Sequence, residues 1–244
     1  MSLRITIATA VRVLSQLRHD RRTLALVLVV PPALLTLLRY IFDGSPETFA
    51  RIGPELVGLF PLIVMFLVTS IAMLRERTGG TLERLMSLPL SKLDLLAGYG
   101  LAFALLAAAQ TFVTSLVAFG LLGVDTAGSK LLVFALAVSN ALLGVGLGLF
   151  LSAFATSEFQ AVQFMPAVLL PQILLCGLFV PRDQMAGWLH TISYFLPLTY
   201  AYEALARTAS DQLDARFALD VAVVCACIVL ALALGAATLR RRTD

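Results

Sequence analysis

The sequence predicts an all-α integral membrane protein with six transmembrane helices, and three observations support this class. The 244 residues are 59% hydrophobic and only 14% charged, whereas a soluble domain is about 45–50% apolar and about 25% charged. The apolar residues form six stretches of 19 to 28 residues, and about 20 residues in a helix cross the hydrocarbon core of a bilayer. No stretch alternates with period two. A soluble enzyme domain, a disordered chain and a nucleic-acid-binding protein are therefore excluded.

The N-terminal segment, residues 1–22, contains an amphipathic pattern over residues 3–17. Its basic residues precede the first span, so we expect an interfacial helix on the cytoplasmic face, serving either as a simple anchor or as an elbow that touches a partner. One face would carry Leu3, Ile7, Ala10, Val11, Val13, Leu14 and Leu17, opposed by Arg4, Thr9, Arg12, Ser15 and Gln16.

The six predicted spans are residues 23–42, 56–74, 95–122, 131–155, 161–180 and 218–239. The first has full spanning length and no small-residue cleavage pattern follows it, so we read it as retained rather than as a signal peptide. The fourth repeats small or polar residues every four positions, Asn140, Gly144, Gly148 and Ser152, which favours close helix packing. In the fifth, Pro166 and Pro171 should kink or loosen the helix because each removes a backbone donor.

The distribution of basic residues predicts the orientation. With both termini in the cytoplasm, twelve of the 18 lysines and arginines lie inside and six lie outside. This asymmetry follows the positive-inside rule.

The loop after the second span, residues 75–94, collects seven charged side chains in a chain that has few. Gly79 and Gly80 should break the descending helix, and Thr81 can cap a short helix that ends before Pro89. That helix would be a docking surface for another protein or a solvated hairpin; the residues alone favour neither. The charged residues of the loop are Arg75, Glu76, Arg77, Glu83, Arg84, Lys92 and Asp94.

At these residues the sequence resembles the type-2 ABC exporter permeases, most nearly those of the daunorubicin and multidrug-efflux type. The first match is the run Arg75-Glu76-Arg77, Gly80-Thr81-Leu82-Glu83-Arg84-Leu85 and Pro89. The second comprises Cys176-Gly177-Leu178-Phe179-Val180-Pro181, Trp188-Leu189 and Leu196-Pro197-Leu198-Thr199-Tyr200. Gly79 departs from the pattern, since many relatives carry a larger residue there.

The resemblance implies a half-transporter that pairs with a second permease copy or a paralogue and with a separate ATP-binding subunit. A cytoplasmic coupling helix between the second and third spans would seat in that subunit, with residues 156–160 as a smaller contact. Residues 181–217 would form external re-entrant helices, with a simple extracellular loop as the alternative. The contact would be formed or supported by Arg75, Glu76, Gly80, Thr81, Glu83 and Arg84.

The missing motifs agree with a passive transport subunit. The sequence has no phosphate-binding loop, so ATP and Mg²⁺ would be used by the partner and no cofactor by this chain. The predicted spans carry essentially no ionisable residue that could couple transport to an ion gradient. Neither a catalytic arrangement nor a metal-ligand spacing is present. Energy must therefore come from a partner.

The polar residues inside the spans are the candidates for a substrate path. Asn140, Gln163 and Gln172 either line that path or form hydrogen bonds between helices. An apolar path favours hydrophobic or amphipathic small molecules, among them drugs, antibiotics and lipids. The sequence also fits a polysaccharide or glycolipid exporter, or a membrane scaffold that transports nothing. The expected location is the bacterial inner membrane, in contact with its lipids.

Overall fold

The computed structural model describes residues 3–81 and 92–238, and within these ranges it contains helices and no β-strand. Two π-helical turns, Val117–Leu121 and Met165–Leu169, and a 3₁₀ turn, Arg182–Gln184, interrupt or join the helices. The helices are α1 (Leu3–His19), α2 (Arg21–Ile41), α3 (Pro46–Thr78), α4 (Lys92–Leu116), α5 (Lys130–Leu151), α6 (Glu158–Leu175), α7 (Gly187–Ser193), α8 (Pro197–Ala209) and α9 (Ala215–Ala237).

Six of these helices, α2 to α6 and α9, are long and apolar enough to cross a membrane, which confirms the predicted number. Helix α3 extends beyond the predicted span 56–74 at both ends. Its 33 residues reach about 50 Å at about 1.5 Å per residue, against a hydrocarbon core of about 30 Å. The apolar window marks where lipid could surround the helix, whereas the backbone hydrogen bonds continue through the polar residues beyond it.

Helix α3 lies at the centre of the bundle and packs most closely against α5. A Cβ atom at Gly144 would lie 2.3 Å from the carbonyl oxygen of Leu62, and one at Gly148 would lie 2.6 Å from that of Phe66. Such short distances mean that the two backbones touch where the side chains are absent. The predicted close packing along the Gly144 stripe is confirmed.

Helix α1 forms over the predicted amphipathic segment, but the face that it buries is only partly the expected one. Thr9, expected on the polar face, is 7% exposed, whereas Leu3 and Val11 of the expected apolar face are 75% and 60% exposed. The reason is Gly98 of α4, where a Cβ would lie 2.5 Å from the Cβ of Thr9. Because Gly98 has no side chain, α1 approaches α4 closely at Thr9. The buried face combines Thr9 with Ala10, Val13, Leu14 and Leu17 of the expected apolar face, whereas Leu3, Ile7 and Val11 point outward.

Asp20 joins α1 to α2 and caps the second helix. Its carboxylate accepts hydrogen bonds from the Thr23 amide at 3.1 Å and the Thr23 hydroxyl at 2.7 Å. These two bonds, the hydroxyl first, hold the pKa of Asp20 below its usual range. The cap fixes where the chain turns between the two helices.

Helix α6 is irregular where the prolines predict it. The π-helical turn Met165–Leu169 contains Pro166, and the regular helix resumes at Leu170 beside Pro171. A proline lacks the N–H that continues the hydrogen-bond ladder, so the backbone widens into the π turn. The prediction of a loosened helix is confirmed.

The bundle has two ends, the α1 end and the α8 end. The α1 end holds α1, the C-terminal turn of α3 and the first turn of α6. The α8 end holds the first turns of α3, the loop of residues 122–129, α7 and α8. Gly177 leads from α6 toward α7 with a φ of 108°, a backbone conformation that favours glycine. That α7 and α8 are re-entrant, and which end is cytoplasmic, stay predictions.

Candidate coupling and substrate sites

The last turns of α3 direct three consecutive charged residues, Arg75, Glu76 and Arg77, toward three different helices. Successive side chains on a helix are about 100° apart. Each of the three therefore contacts a different neighbour, and together they tie the α1 end of the bundle to α3.

Arg75 binds Glu158 in the first turn of α6. Its Nε donates to Oε1 at 2.7 Å and its Nη2 to Oε2 at 3.1 Å, so the pair is bidentate. Both side chains are about half exposed, 56% and 53%, which limits the contribution of the pair to stability and leaves both groups accessible. The first turn of α6 is held by Ser157, whose hydroxyl accepts from the Gln160 amide at 3.2 Å.

Glu76 binds Arg12 of α1, which also contacts α4. The distance from Arg12 Nη1 to Glu76 Oε1 is 3.4 Å, and Arg12 Nη2 donates to the hydroxyl of Tyr99. The guanidinium carbon lies 5.6 Å from the centre of the Tyr99 ring. The Glu76 side chain is 12% exposed and that of Arg12 is 29% exposed. This network, Arg12–Glu76–Tyr99, connects three helices in a largely buried position.

Arg77 reaches the end of α9. Its Nη2 donates to the Thr238 hydroxyl at 3.2 Å and its Nη1 to the Thr238 carbonyl oxygen at 3.4 Å. The C-terminal part of the described chain is thereby attached to the same turn of α3.

The remaining predicted coupling residues lie at or beyond the end of α3. Gly79 ends the helix, with its amide donating to the Arg75 carbonyl oxygen at 2.8 Å, and Gly80 follows with a φ of 69°. This confirms the predicted break at the two glycines. Thr81 lines a cleft beside the helix. Glu83 and Arg84, with the rest of the predicted coupling helix, lie outside the residues that the structure describes.

A cleft of about 640 Å³ lies between α1, α2, α3 and α4 at the α1 end. Its walls are mostly aliphatic, whereas its polar end carries Asp20, Arg75, Glu76 and Tyr99. The volume is within the range of small-molecule sites, about 300–1,000 Å³. Its walls suit an amphipathic molecule whose polar group faces the charged end.

Two of the three predicted substrate-path residues, Asn140 and Gln172, bind the backbone of α8 one turn apart, at Ala201 and Leu198. Asn140 is 3% exposed and its amide donates to the Ala201 carbonyl oxygen at 3.5 Å. Gln172, 5% exposed, accepts from the Leu198 amide at 3.4 Å and donates to the Val168 carbonyl oxygen at 3.0 Å. Gln163 is exposed on α6. Asn140 and Gln172 therefore make the interhelical bonds that were the alternative interpretation, and a role in the path stays a prediction.

A network of ion pairs occupies the α8 end. Glu203 binds Arg182, and Arg207 binds Asp220 through Nε at 3.0 Å. The Asp220 side chain is 4% exposed. A cavity of about 650 Å³ adjoins this network, with Arg51, Tyr202 and Arg216 also in its lining.

Two carboxylates buried in spanning helices are not predicted from the sequence, Glu55 of α3 and Asp220 of α9. Asp220 pairs with Arg207 at 3.0 Å, whereas Glu55 is 5% exposed and its Oε2 has no hydrogen-bond partner among the described residues. Glu55 falls outside the predicted span because the apolar window begins one residue later, at Leu56. The expectation that the spans carry essentially no ionisable residue is therefore wrong at two positions, since the spanning helices α3 and α9 contain Glu55 and Asp220. In the sequence, Glu55 could have been recognised as a glutamate four residues after Arg51 and directly before an apolar run.

The described residues bring together no group of three His, Cys, Asp or Glu side chains that could hold a metal ion.

Residues 5–208, most of the chain, match the family described as ABC-2 type transporter. The chain belongs to the ABC-2 type transporter family. With six helices of spanning length and composition, it is a membrane protein.

Curated relatives give the same family. The chain is 28% identical over 168 residues to the probable multidrug ABC transporter permease YbhS of Escherichia coli (strain K12). The matched region covers 68% of this chain and 45% of that protein. It is 28% identical over 147 residues to the probable multidrug ABC transporter permease YbhR of the same strain, covering 60% and 40%. It is 29% identical over 164 residues to ABC transporter G family member 20 of Dictyostelium discoideum, covering 66% and 22%. The matches thus span less than half the length of these relatives.

Proposed function

We propose that this ABC-2 family chain is the membrane-spanning subunit of an ATP-driven exporter. It works as a dimer, with a second copy or a paralogue, and with a separate ATP-binding subunit that uses ATP and Mg²⁺. The complex moves hydrophobic or amphipathic compounds out of the cytoplasm or the inner leaflet by alternating access. Both termini, and with them the α1 end, face the cytoplasm of a bacterial cell.

The observation that carries the proposal is the bidentate contact of Arg75 with Glu158. The family resemblance assigns the ATP-binding subunit two contacts on this chain, the segment from Arg75 to Arg84 and residues 156–160. These segments are far apart in sequence, and the ion pair joins them at one end of the bundle. A partner that binds this end therefore meets Arg75 and residues 156–160 on one surface.

The same turn of α3 explains how movement of the partner would reach the spans. Force on the loop after Thr78 acts on Arg75, which is bound to α6, and on Glu76, which is bound to α1 through Arg12. Arg12 transmits it to α4 through Tyr99. Because packed helices move as rigid elements, moving the last turn of α3 also moves α1, α4 and α6. Alternating access follows when the two half-transporters rock in this way.

The aliphatic cleft at the α1 end supports the cargo class. Its polar end and apolar walls suit a molecule that enters from the inner leaflet with its polar group toward the cytoplasm. The multidrug designation of the relatives YbhS and YbhR agrees with such cargo.

Replacement of Glu83 by alanine tests the assignment of the coupling segment. We expect the Glu83→Ala complex to assemble and to hydrolyse ATP. Amphipathic cargo should stimulate its ATP hydrolysis about tenfold less than in the wild type, and export of that cargo should fall by about the same factor. This is the effect expected from the loss of one charged contact. The measurement is ATP hydrolysis and transport by proteoliposomes that contain the chain and its ATP-binding subunit. The matched control is Glu47→Ala, an exposed glutamate in the first turn of α3.

Unchanged coupling in Glu83→Ala would remove the site assignment. If the chain bound a cytoplasmic protein that had no ATPase activity, the membrane scaffold would be the better description. Stimulation by polar sugars and not by lipophilic drugs would favour the polysaccharide or glycolipid exporter.

A further inference from the structure

The buried carboxylate of Glu55 faces a second cavity at the α8 end. This cavity, of about 540 Å³, lies between the first turns of α3, the loop of residues 125–127 and α8. Glu55 is 5% exposed and its Oε2 has no hydrogen-bond partner among the described side chains and backbone groups. A carboxylate that is removed from water needs a cation or several donors around it. An ionisable residue in a spanning helix marks a functional site unless a structural partner explains it.

The position of Glu55 along α3 places it near a membrane boundary. Twenty residues separate it from Arg75, which is about 30 Å of helix and about the thickness of the hydrocarbon core. With Arg75 at one surface, Glu55 lies at the other, where a cavity between helices can admit a polar group. Three residues after Glu55, Gly58 lets α8 pack closely against α3, since a Cβ at Gly58 would lie 2.6 Å from Leu205 of α8.

Tyr202 of α8 forms an aromatic wall of the same cavity. Burial raises the pKa of its phenol well above the usual range, and the nearby Glu55 carboxylate adds to this shift. The ring therefore stays neutral beside a carboxylate. A carboxylate together with an aromatic ring is the combination that attracts organic ammonium groups.

Arg51, one turn before Glu55, also lines the cavity, but it does not satisfy the carboxylate. The two side chains form no ion pair within 4.0 Å, the limit for such pairs, in the described structure, and Arg51 is exposed and shared with the adjoining 650 Å³ cavity. Asp125, the other carboxylate of the lining, is exposed and lies 3.5 Å from Lys130. Arg51 is thus a competing cation close to Glu55 rather than its bound partner.

We propose that this cavity binds the ammonium group of a cationic amphipathic ligand, with Glu55 as its counter-ion and the Tyr202 ring as one wall. The volume is that of an organic molecule and far exceeds that of a proton or a bare metal ion. The ligand is cargo on its way out, a step that rests on the proposed export function. The ammonium displaces Arg51 from the neighbourhood of the carboxylate and occupies the free Oε2.

The test compares two fluorescent probes that differ in charge and little in size. Dansylcadaverine carries an ammonium group, and the neutral N-pentyl dansylamide has the same ring and chain. The full chain in nanodiscs is titrated with each probe, and the fluorescence of the bound dansyl group gives the dissociation constant. We expect the wild-type chain to bind the ammonium probe about tenfold more tightly or better, the effect of one charged hydrogen bond.

In Glu55→Gln, whose side chain has the same size, we expect binding of the ammonium probe to weaken to the level of the neutral one. Binding of the neutral probe should stay as in the wild type, which also shows that the cavity is intact. Arg51→Ala should strengthen binding of the ammonium probe, because the competing cation is removed. Glu47→Gln, exposed on the same helix, is the matched control and should behave as the wild type.

The proposal is overturned if the wild-type chain binds both probes equally, or if Glu55→Gln weakens both to the same extent or neither. Weaker binding of the ammonium probe in Arg51→Ala would also contradict it. Because no ATP-binding subunit takes part in this titration, failure here leaves the export function standing. The Glu83→Ala experiment decides that function separately.

Discussion

Replacing Gly144 by alanine is expected to destabilise the chain by about 3 kcal/mol, the upper part of the range for overpacking a tight interface. A Cβ atom at this position would lie 2.3 Å from the carbonyl oxygen of Leu62. That oxygen belongs to the backbone of α3 and cannot rotate away, so the two central helices must separate. The measurement is the thermal unfolding of the purified chain in detergent, and a strongly lowered midpoint and a reduced yield are expected.

Gly100→Ala is the matched control for this prediction. A Cβ at Gly100 of α4 would meet no atom within 4 Å. Alanine is also the better helix former, so Gly100→Ala should leave the midpoint unchanged or raise it slightly. Equal midpoints for Gly144→Ala and Gly100→Ala would contradict the close packing of α3 against α5.

Replacing Glu76 by alanine should also have a large effect, because it leaves Arg12 without its carboxylate partner. We expect a loss of about 2–3 kcal/mol, less than for a fully buried pair because 29% of the Arg12 side chain remains exposed. In the exporter the same variant should lower the cargo-stimulated ATP hydrolysis, since α1 is no longer attached to α3. Thermal unfolding and the ATPase assay measure the two effects.

A double-mutant cycle separates the contact from other effects of the change. The double variant Arg12→Leu/Glu76→Leu removes both charges. Its loss of stability should be smaller than the sum of the losses measured for Arg12→Leu and Glu76→Leu alone. Additive losses in the cycle would show that Arg12 and Glu76 do not interact. Glu47→Ala, exposed at the other end of α3, again serves as the control.

The sequence was sufficient for the features that depend on local pattern. Six apolar windows predict six helices, and the four-residue stripe at Gly144 and Gly148 predicts the close packing of α5. Pro166 predicts the irregular turn of α6. Each of these follows from hydropathy, side-chain size or a missing backbone donor, and all three can be read along one segment of chain.

The features that depend on contacts between segments could not be predicted. The face that α1 presents is decided by Gly98, almost ninety residues away, which admits Thr9. Arg75 finds Glu158 because the start of α6 lies beside the end of α3. Glu55 lies where α3, the loop of residues 125–127 and α8 meet, and the hydropathy window that begins at Leu56 does not include it.

Contact between the end of α3 and an ATP-binding subunit can be measured by a cross-link at Thr81. The native Cys176, Cys225 and Cys227 are first replaced by serine or alanine, and Thr81→Cys is then introduced. With a short bifunctional thiol reagent in native membranes, Thr81→Cys is predicted to form an adduct with the ATP-binding subunit whose yield changes when ATP is added. Ser210→Cys at the α8 end should form none. No adduct from Thr81→Cys, or equal adducts from both positions, would contradict the account.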